Sequence, residues 1–294
     1  MASKQPQVGF VGLGIMGSAM SNNLLKADFP LVGFDIDPAR MAAFTGNGGK
    51  AAANAADVAK QCDLIITSLP SVAALEVTAT GLASSGRKGV IVAECSTLPL
   101  EDKEAARKVI MGAGMILLDS PVSGTGGQAV KKDIVAFGSG DKAAYDKFLP
   151  VYQGITRAQH YLGEFGNGSR LKFIANLMVA IHNVVGAEAL VLARKCGLDP
   201  MQAFNVLRES AGTSRMFEVR GANMVAGTYL PATMRNELWM KDLHIIGEFA
   251  RGVRCPTPLF SLSSEFYAAA MAMGYAQEDT GAVHEVLAAM AGVK

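Results

Sequence analysis

A chain of 294 residues, half of them hydrophobic, is long enough for two domains with a sizeable buried core. Its 27 Lys and Arg stand against 26 Asp and Glu, a formal charge of +1. There is no basic stripe or charge block, so neither nucleic acid nor an anionic membrane surface is an expected partner.

The opening segment Met1–Gln7 is short and polar and lacks the apolar centre of a signal peptide. From there, short apolar runs alternate with Ala-rich helical patterns. The runs are Val8–Val11, Leu31–Phe34, Leu64–Leu69, Val90–Ala93, Met115–Leu118 and Ile134–Phe137. They are continuous, as strands covered on both faces must be. Between them lie Ile15–Lys26, Val72–Thr80 and Leu100–Met111. This alternation predicts a parallel, doubly wound sheet. The rhythm stops near Gly163. A long helix is predicted over Ser169–Cys196, then helices over Pro200–Glu209, Ser214–Ala226, Asn236–Arg251 and Leu259–Met273. The uncharged stretch Phe173–Ala187 is too short to span a bilayer and is read as buried helix. The predicted organisation is an α/β Rossmann-type domain over residues 1–165 and an all-helical domain over 166–294.

Cys62, Cys95, Cys196 and Cys255 have no zinc or dithiol spacing, which suits reduced thiols in a cytoplasmic protein. His160, His182, His244 and His284 show no ligand spacing either, and no metal is expected. The absence of a Gly-x-Ser-x-Gly elbow and of a Walker loop disfavours serine hydrolases and P-loop nucleotide hydrolases.

The first strand runs into Gly12-Leu13-Gly14-Ile15-Met16-Gly17, a Gly-x-Gly-x-x-Gly turn that opens a helix. The glycines serve a tight turn, close backbone approach to a pyrophosphate, and tight helix-on-sheet packing. The helix N-terminus supplies N–H donors and a positive dipole end for phosphates. Asp35 ends the second strand about 20 residues on, where a ribose-binding carboxylate is expected. A carboxylate there accepts from the ribose hydroxyls of NAD and repels the extra phosphate of NADP, so the expected cofactor is NAD.

Four motifs carry a resemblance. Gly9–Leu24, Asp119-Ser-Pro-Val-Ser-Gly124, Gly166-x-Gly168-x-x-x-Lys172-x-x-x-Asn176 and Lys241-Asp242-Leu243 resemble the β-hydroxyacid dehydrogenases, in the same order. The 3-hydroxyisobutyrate dehydrogenase branch is nearest in size. The resemblance runs through most of the chain and implies a site where the two halves meet, with Lys172 as general acid/base. It further implies that the Ser123-Gly124 loop cradles the substrate carboxylate. Leu69, Pro70, Thr97 and Lys241 become cofactor contacts. A homodimer or homotetramer is expected, both from the family and from the extensive apolar faces of the C-terminal helices.

The residues support those roles on their own chemistry. Lys172 and Asn176, four apart on a helix, share a face. A lysine in the first helical turn meets an unfavourable dipole, and dehydration beside an oxidised nicotinamide disfavours its charge further. That is how a lysine becomes a proton acceptor near neutral pH. Asn176 would bond the substrate oxygen or hold Lys172; the competing reading is a core asparagine bonded to backbone. Backbone N–H groups and the hydroxyl at Ser123-Gly124 suit a carboxylate.

The chain departs from the family at Thr125, where a second glycine is usual, at Lys132-Asp133-Ile134, where Gly-Thr-Leu is usual, and at Ala74, near a usual cofactor-contacting Asn. These leave the reaction type standing and the substrate open. The expected reaction is hydride transfer between NAD and the alcohol carbon of a C3–C5 hydroxy acid. The 3-hydroxyisobutyrate type is the first choice, with threonate and glycerate or tartronate-semialdehyde types as alternatives. Lys131 and Lys132 are read either as solvated or as attracting a second anionic group. Imine reductases share the scaffold but usually lack the lysine at 172, and phosphogluconate dehydrogenases need a longer helical domain. A non-catalytic dinucleotide-binding module would not need Lys172 and Asn176 together.

Overall fold

The computed structural model describes residues 5–293, so the first four residues of the polar opening segment lie outside the described residues. The chain forms two compact units that divide after Lys172.

The first unit opens with β1 (Val8–Val11), α1 (Ile15–Lys26), β2 (Leu31–Phe34), α2 (Pro38–Gly46), β3 (Lys50–Ala51) and α3 (Ala55–Gln61). It continues with β4 (Leu64–Thr67), α4 (Val72–Ala83), β5 (Ile91–Glu94), α5 (Leu100–Gly112) and β6 (Ile116–Asp119). These strands make a six-stranded sheet in the order β3-β2-β1-β4-β5-β6, with every neighbouring pair parallel. The predicted Rossmann-type sheet is therefore present. β1, β4 and β5 are buried along their whole length, which is why their apolar runs do not alternate. Successive side chains enter two separate cores: Val8, Phe10 and Ile66 pack in one, and Val11, Val32 and Ile65 in the other. The strand order reverses between β1 and β4, and registers Val11↔Phe34 and Val11↔Thr67 bring the carboxyl ends of these strands level. In open α/β sheets a ligand crevice lies outside such a reversal.

The apolar run Ile134–Phe137 does not extend this sheet. It forms β8 (Val135–Gly138), between β7 (Val122–Ser123) and β9 (Ala158–Tyr161), in a separate three-stranded sheet. β7 pairs antiparallel and β9 parallel to β8. Periodicity reports burial and cannot say which sheet a strand joins. An isolated bridge between Asp119 and Ser139 ties the end of β6 to the end of β8. Two helices complete this part, α6 (Gly126–Val130) and α7 (Lys142–Ile155).

The helix α8 (Asn167–Lys195) begins in the first unit and continues into the second. It is followed by α9 (Pro200–Leu207), α10 (Arg215–Ala226), α11 (Asn236–Gly252), α12 (Pro258–Ala272) and α13 (Val283–Ala291). Local chemistry sets the boundaries. The Asp199 side chain caps α9, whose N1 residue is Pro200; Ser214 caps α10, and Gly227 at φ 62° ends it. By length and composition α8 could cross a membrane. In this fold it is a core helix: Phe173, Ala180 and Leu190 pack with Trp239, Leu243 and Tyr267. Cys62 and Cys95 are buried in the first unit, whereas Cys196 and Cys255 are exposed, and all four are free thiols.

Candidate active site

The glycine turn between β1 and α1 has the shape that its sequence predicts. Gly12 has φ +90°, and a Cβ there would lie 2.2 Å from the Ser68 carbonyl oxygen. A Cβ on Gly17 would lie 2.1 Å from the Gly12 carbonyl oxygen, so α1 can approach the turn only with glycine at that position. A Cβ on Gly14 would meet only the Arg40 guanidinium at 3.8 Å, which leaves the approach to this backbone open. Gly14 is the N-cap of α1, with no side-chain cap and no acid in the first turn. The leading N–H groups of α1 thus have no competing carboxylate, and the turn fits a pyrophosphate. Leu13 is buried, and Ile15 is exposed.

Asp35, 8% exposed, does more than end β2. Its Oδ2 accepts from the Leu13 N–H at 2.6 Å and its Oδ1 from the Asp37 N–H at 2.8 Å, so the carboxylate locks the glycine turn to the next loop. Each oxygen retains acceptor capacity for a ribose hydroxyl. The half-exposed Arg40 reaches Asp35 at 3.5 Å and Asp37 at 3.3 Å.

Leu69 and Pro70 follow β4, and Thr97 follows β5, on the same carboxyl edge of the sheet. The Leu69 N–H donates to Ser96 Oγ at 2.7 Å, so the two loops are joined. Ser123 ends β7, and Gly124 at φ +140° is crowded by Ile134, 2.4 Å from where a Cβ would stand. Thr125 has a task that the sequence does not advertise. It is the N-cap of α6 in a reciprocal capping box: the Gln128 N–H donates to Thr125 Oγ1 at 3.3 Å, and the Thr125 N–H to Gln128 Oε1 at 3.0 Å. Its hydroxyl oxygen is therefore engaged as an acceptor. Lys131 and Lys132 are exposed, and Asp133 pairs with Arg157 at 3.0 Å.

Lys172 is only 7% exposed, which excludes a solvated lysine on a helix flank. Its position in the helix differs from the expectation. Because α8 opens at Asn167, Lys172 lies in the second turn, and dipole effects fade beyond the first.

In the second unit Asn176 is buried and donates from Nδ2 to Asp242 Oδ2 at 3.0 Å. The amide is thereby oriented with Oδ1 on the opposite side. Lys241 Nζ lies 3.3 Å from Asp242 Oδ1, so two motifs distant in sequence converge on Asp242. Motif spacing assigns no role to Asp242 or Asp119; an acid inside an apolar helical or strand pattern is the sequence signal that marks each of them. No group of three or more His, Cys, Asp or Glu is placed to hold a metal among the described residues.

Comparison with known proteins adds independent findings. Residues 7–163 match the NAD binding domain of 6-phosphogluconate dehydrogenase, and residues 166–287 match the NAD-binding region of NADP-dependent 3-hydroxyisobutyrate dehydrogenase. The L-threonate dehydrogenase of Haemophilus influenzae is 30% identical over 291 residues, which cover 97% of this chain and 96% of that protein. The mitochondrial 3-hydroxyisobutyrate dehydrogenase of Mus musculus is 32% identical over 299 residues, covering 98% and 88%. The crystal structure of a 3-hydroxyisobutyrate dehydrogenase from Salmonella typhimurium has a TM-score of 0.87 at 29% identity, covering 96% of this chain and 100% of that one.

Proposed function

Since the chain belongs to the β-hydroxyacid dehydrogenase family, in its 3-hydroxyisobutyrate dehydrogenase-like group, we propose that it is an NAD-dependent oxidoreductase of a C3–C5 hydroxy acid. The observation that carries this reading is a buried lysine, Lys172, one helical turn before the buried Asn176 in the family's own motif. When bound at the Gly12–Gly17 turn, the nicotinamide dinucleotide supplies hydride exchange with the alcohol carbon. The N–H groups of Gly14, Ile15, Met16 and Gly17 at the head of α1 would hold its pyrophosphate, in a turn shaped by Gly12 and Leu13, whose own N–H groups are bonded to Phe34 and Asp35. Asp35 would hold its ribose, and Leu69, Pro70, Thr97 and Lys241 would make further contacts.

Lys172 takes the proton from the substrate hydroxyl during oxidation and returns it during reduction. A lysine shielded from bulk water, as Lys172 is at 7% exposure, is placed to exchange a proton with a substrate hydroxyl. Asn176, whose amide nitrogen is held by Asp242, keeps its Oδ1 free of that carboxylate and would accept a substrate O–H. Ser123, Gly124 and Thr125 receive the carboxylate. NAD over NADP rests on Asp35, and Arg40 beside it would soften the preference because a guanidinium tolerates a 2′-phosphate.

The 3-hydroxyisobutyrate type is the first substrate. A threonate type is the second, supported by the likeness to the L-threonate dehydrogenase and by the Thr125 hydroxyl beside the proposed carboxylate turn. Self-association into a dimer or tetramer is part of the proposal. Ile174, Met178, Val185 and Leu192 are each half exposed or more on one face of α8 and suit burial by another copy. Free thiols at all four cysteines suit a cytoplasmic setting.

The deciding experiment follows NADH formation with 3-hydroxyisobutyrate, L-threonate and glycerate, each beside its methyl ester or amide. The acids should turn over and the neutral analogues should not. Equal rates would remove the carboxylate cradle, and no NADH from any acid would remove the whole reading.

A further inference from the structure

The first unit buries an ionic cluster that none of the proposed steps uses. Lys103 on α5, Glu94 at the end of β5 and Asp119 at the end of β6 are all fully buried. Lys103 Nζ lies 2.6 Å from Glu94 Oε2 and 2.9 Å from Asp119 Oδ1. Burial opposes its ammonium, but the carboxylates of Asp119 and Glu94 outweigh that and raise its pKa, so the lysine stays charged. One ammonium faces two carboxylates, and the missing positive charge comes from the start of α8. Asp119 accepts the Ser169 N–H at Oδ2 and the Ser169 hydroxyl at Oδ1, both at 2.7 Å. A helix N-terminus carries about half a positive charge, which suits this surplus carboxylate.

Each arm of the cluster ends on a segment of the candidate site. Glu94 Oε1 accepts the Ser96 N–H at 2.9 Å, and Ser96 Oγ accepts the Leu69 N–H at 2.7 Å, reaching both cofactor loops. Asp119 also receives the Ser139 hydroxyl at 3.3 Å, while Ser139 Oγ accepts the Gly168 N–H at 3.0 Å. There is no slack at that contact. A Cβ on Gly168 would lie 2.3 Å from the Phe137 carbonyl oxygen and 2.8 Å from that of Asp119. Lys172 follows Ser169 by three residues on the same rigid helix, so any slip of the first turn moves its amine.

Stability alone does not account for this arrangement. The sheet already has an apolar core on each face, and apolar side chains often stabilise as well as a buried ion pair does. We infer that Lys103, Glu94 and Asp119, acting through Ser169, are positioning residues that fix the first turn of α8 and thereby aim Lys172. This rests on the acid/base role proposed for Lys172.

The test uses the full-length enzyme, its best hydroxy acid from the panel, and NADH titration by fluorescence. Ser169→Ala removes one donor to Asp119 and keeps the backbone N–H. It should lower kcat about 10- to 100-fold, as misplacement of a catalytic group does, with NADH Kd within about twofold. Ser169→Thr, which keeps the hydroxyl, should restore most of the loss. The pair Lys103→Met with Glu94→Gln removes one charge of each sign and leaves Asp119 on α8; it should lower kcat in the same way. If this pair does not fold, the Ser169 variants decide. Wild-type kcat in Ser169→Ala, with only a lowered melting temperature, overturns the inference. So does a loss of NADH affinity as large as the loss of kcat. Lys172→Ala serves as the separate control: if it turns over normally, the acid/base reading fails whatever Ser169 does.

Discussion

Replacing Asp35 tests cofactor choice and turn architecture together, and the two effects can be separated. In Asp35→Ser the Leu13 N–H, held at 2.6 Å in a buried turn, loses its acceptor. An unsatisfied buried donor costs about 1–3 kcal/mol. The Asp37 N–H lies at a partly exposed loop and rehydrates, so it adds little. A loss of about 2 kcal/mol in a unit of this size lowers Tm by about 4–8 °C. Asp35→Asn keeps a side-chain oxygen for Leu13 and should lose much less. Both variants remove the charge that disfavours a 2′-phosphate and release Arg40 from its 3.5 Å contact. The ratio of kcat/KM with NADP to that with NAD should therefore rise about 10- to 100-fold in both, the equivalent of one charge-assisted hydrogen bond. The assays are initial rates with each cofactor and thermal melts of the apoenzyme. A wild-type enzyme that already prefers NADP refutes the account of Asp35, and equal Tm losses in the two variants refute the account of Leu13.

Other outcomes follow from the same geometry. Lys172→Ala should lower kcat about 10²- to 10⁴-fold without weakening NADH binding, as stopped-flow turnover and fluorescence titration would show. Thr125→Gly should change relative kcat/KM among hydroxy acids more than NADH affinity. Its stability cost should be only a few tenths of a kcal/mol, because glycine is tolerated at an N-cap. Gly17→Ala should weaken NADH binding strongly, since its Cβ would strike the Gly12 carbonyl oxygen at 2.1 Å. In the helical unit, burial works against the Asp279 carboxylate, but Arg220 at 2.7 Å, Thr233 and the Gly281 N–H outweigh it and lower its pKa. A depressed carboxyl pKa stabilises above the unfolded value, about 3.9, and that contribution is lost as pH falls through the folded pKa. Urea midpoints should therefore fall below about pH 4, and this acid-dependent loss should be reduced in Asp279→Asn, which costs about 3–5 kcal/mol near neutrality.

The parallel sheet was legible because strands covered on both faces read as continuous apolar runs, and β1, β4 and β5 do so up to the closing Thr67 of β4 and Glu94 of β5. The Gly12–Gly17 turn was legible because Gly12 and Gly17 answer steric demands that no other residue meets, while Gly14 leaves the backbone open to approach. β3 and β9 were not, since one is two exposed residues and the other, Ala-Gln-His-Tyr, carries no apolar run. The second sheet escaped because a buried run does not name its partner. Lys172 and Asn176 could be picked out by motif and spacing. The roles of Lys103 and Glu94 could not, because a lysine within Glu-Asp-Lys-Glu reads as solvated surface until tertiary packing places it at zero exposure. From the sequence Thr125 stands out only as a departure from the family's usual glycine, whereas its backbone position makes it a cap.

The cysteines divide between the two units in a way that makes them a built-in reporter. Cys62 and Cys95 sit inside the first unit, where burial pushes both thiols up and starves them of reactive thiolate. Cys196 and Cys255 are exposed in the second. A thiol reagent added to the native protein should therefore label the helical unit at once and leave the sheet unmarked. Delayed labelling then counts openings of the sheet unit alone. Peptide mapping against time would give its opening free energy without any mutation, and saturating NADH should slow only that phase.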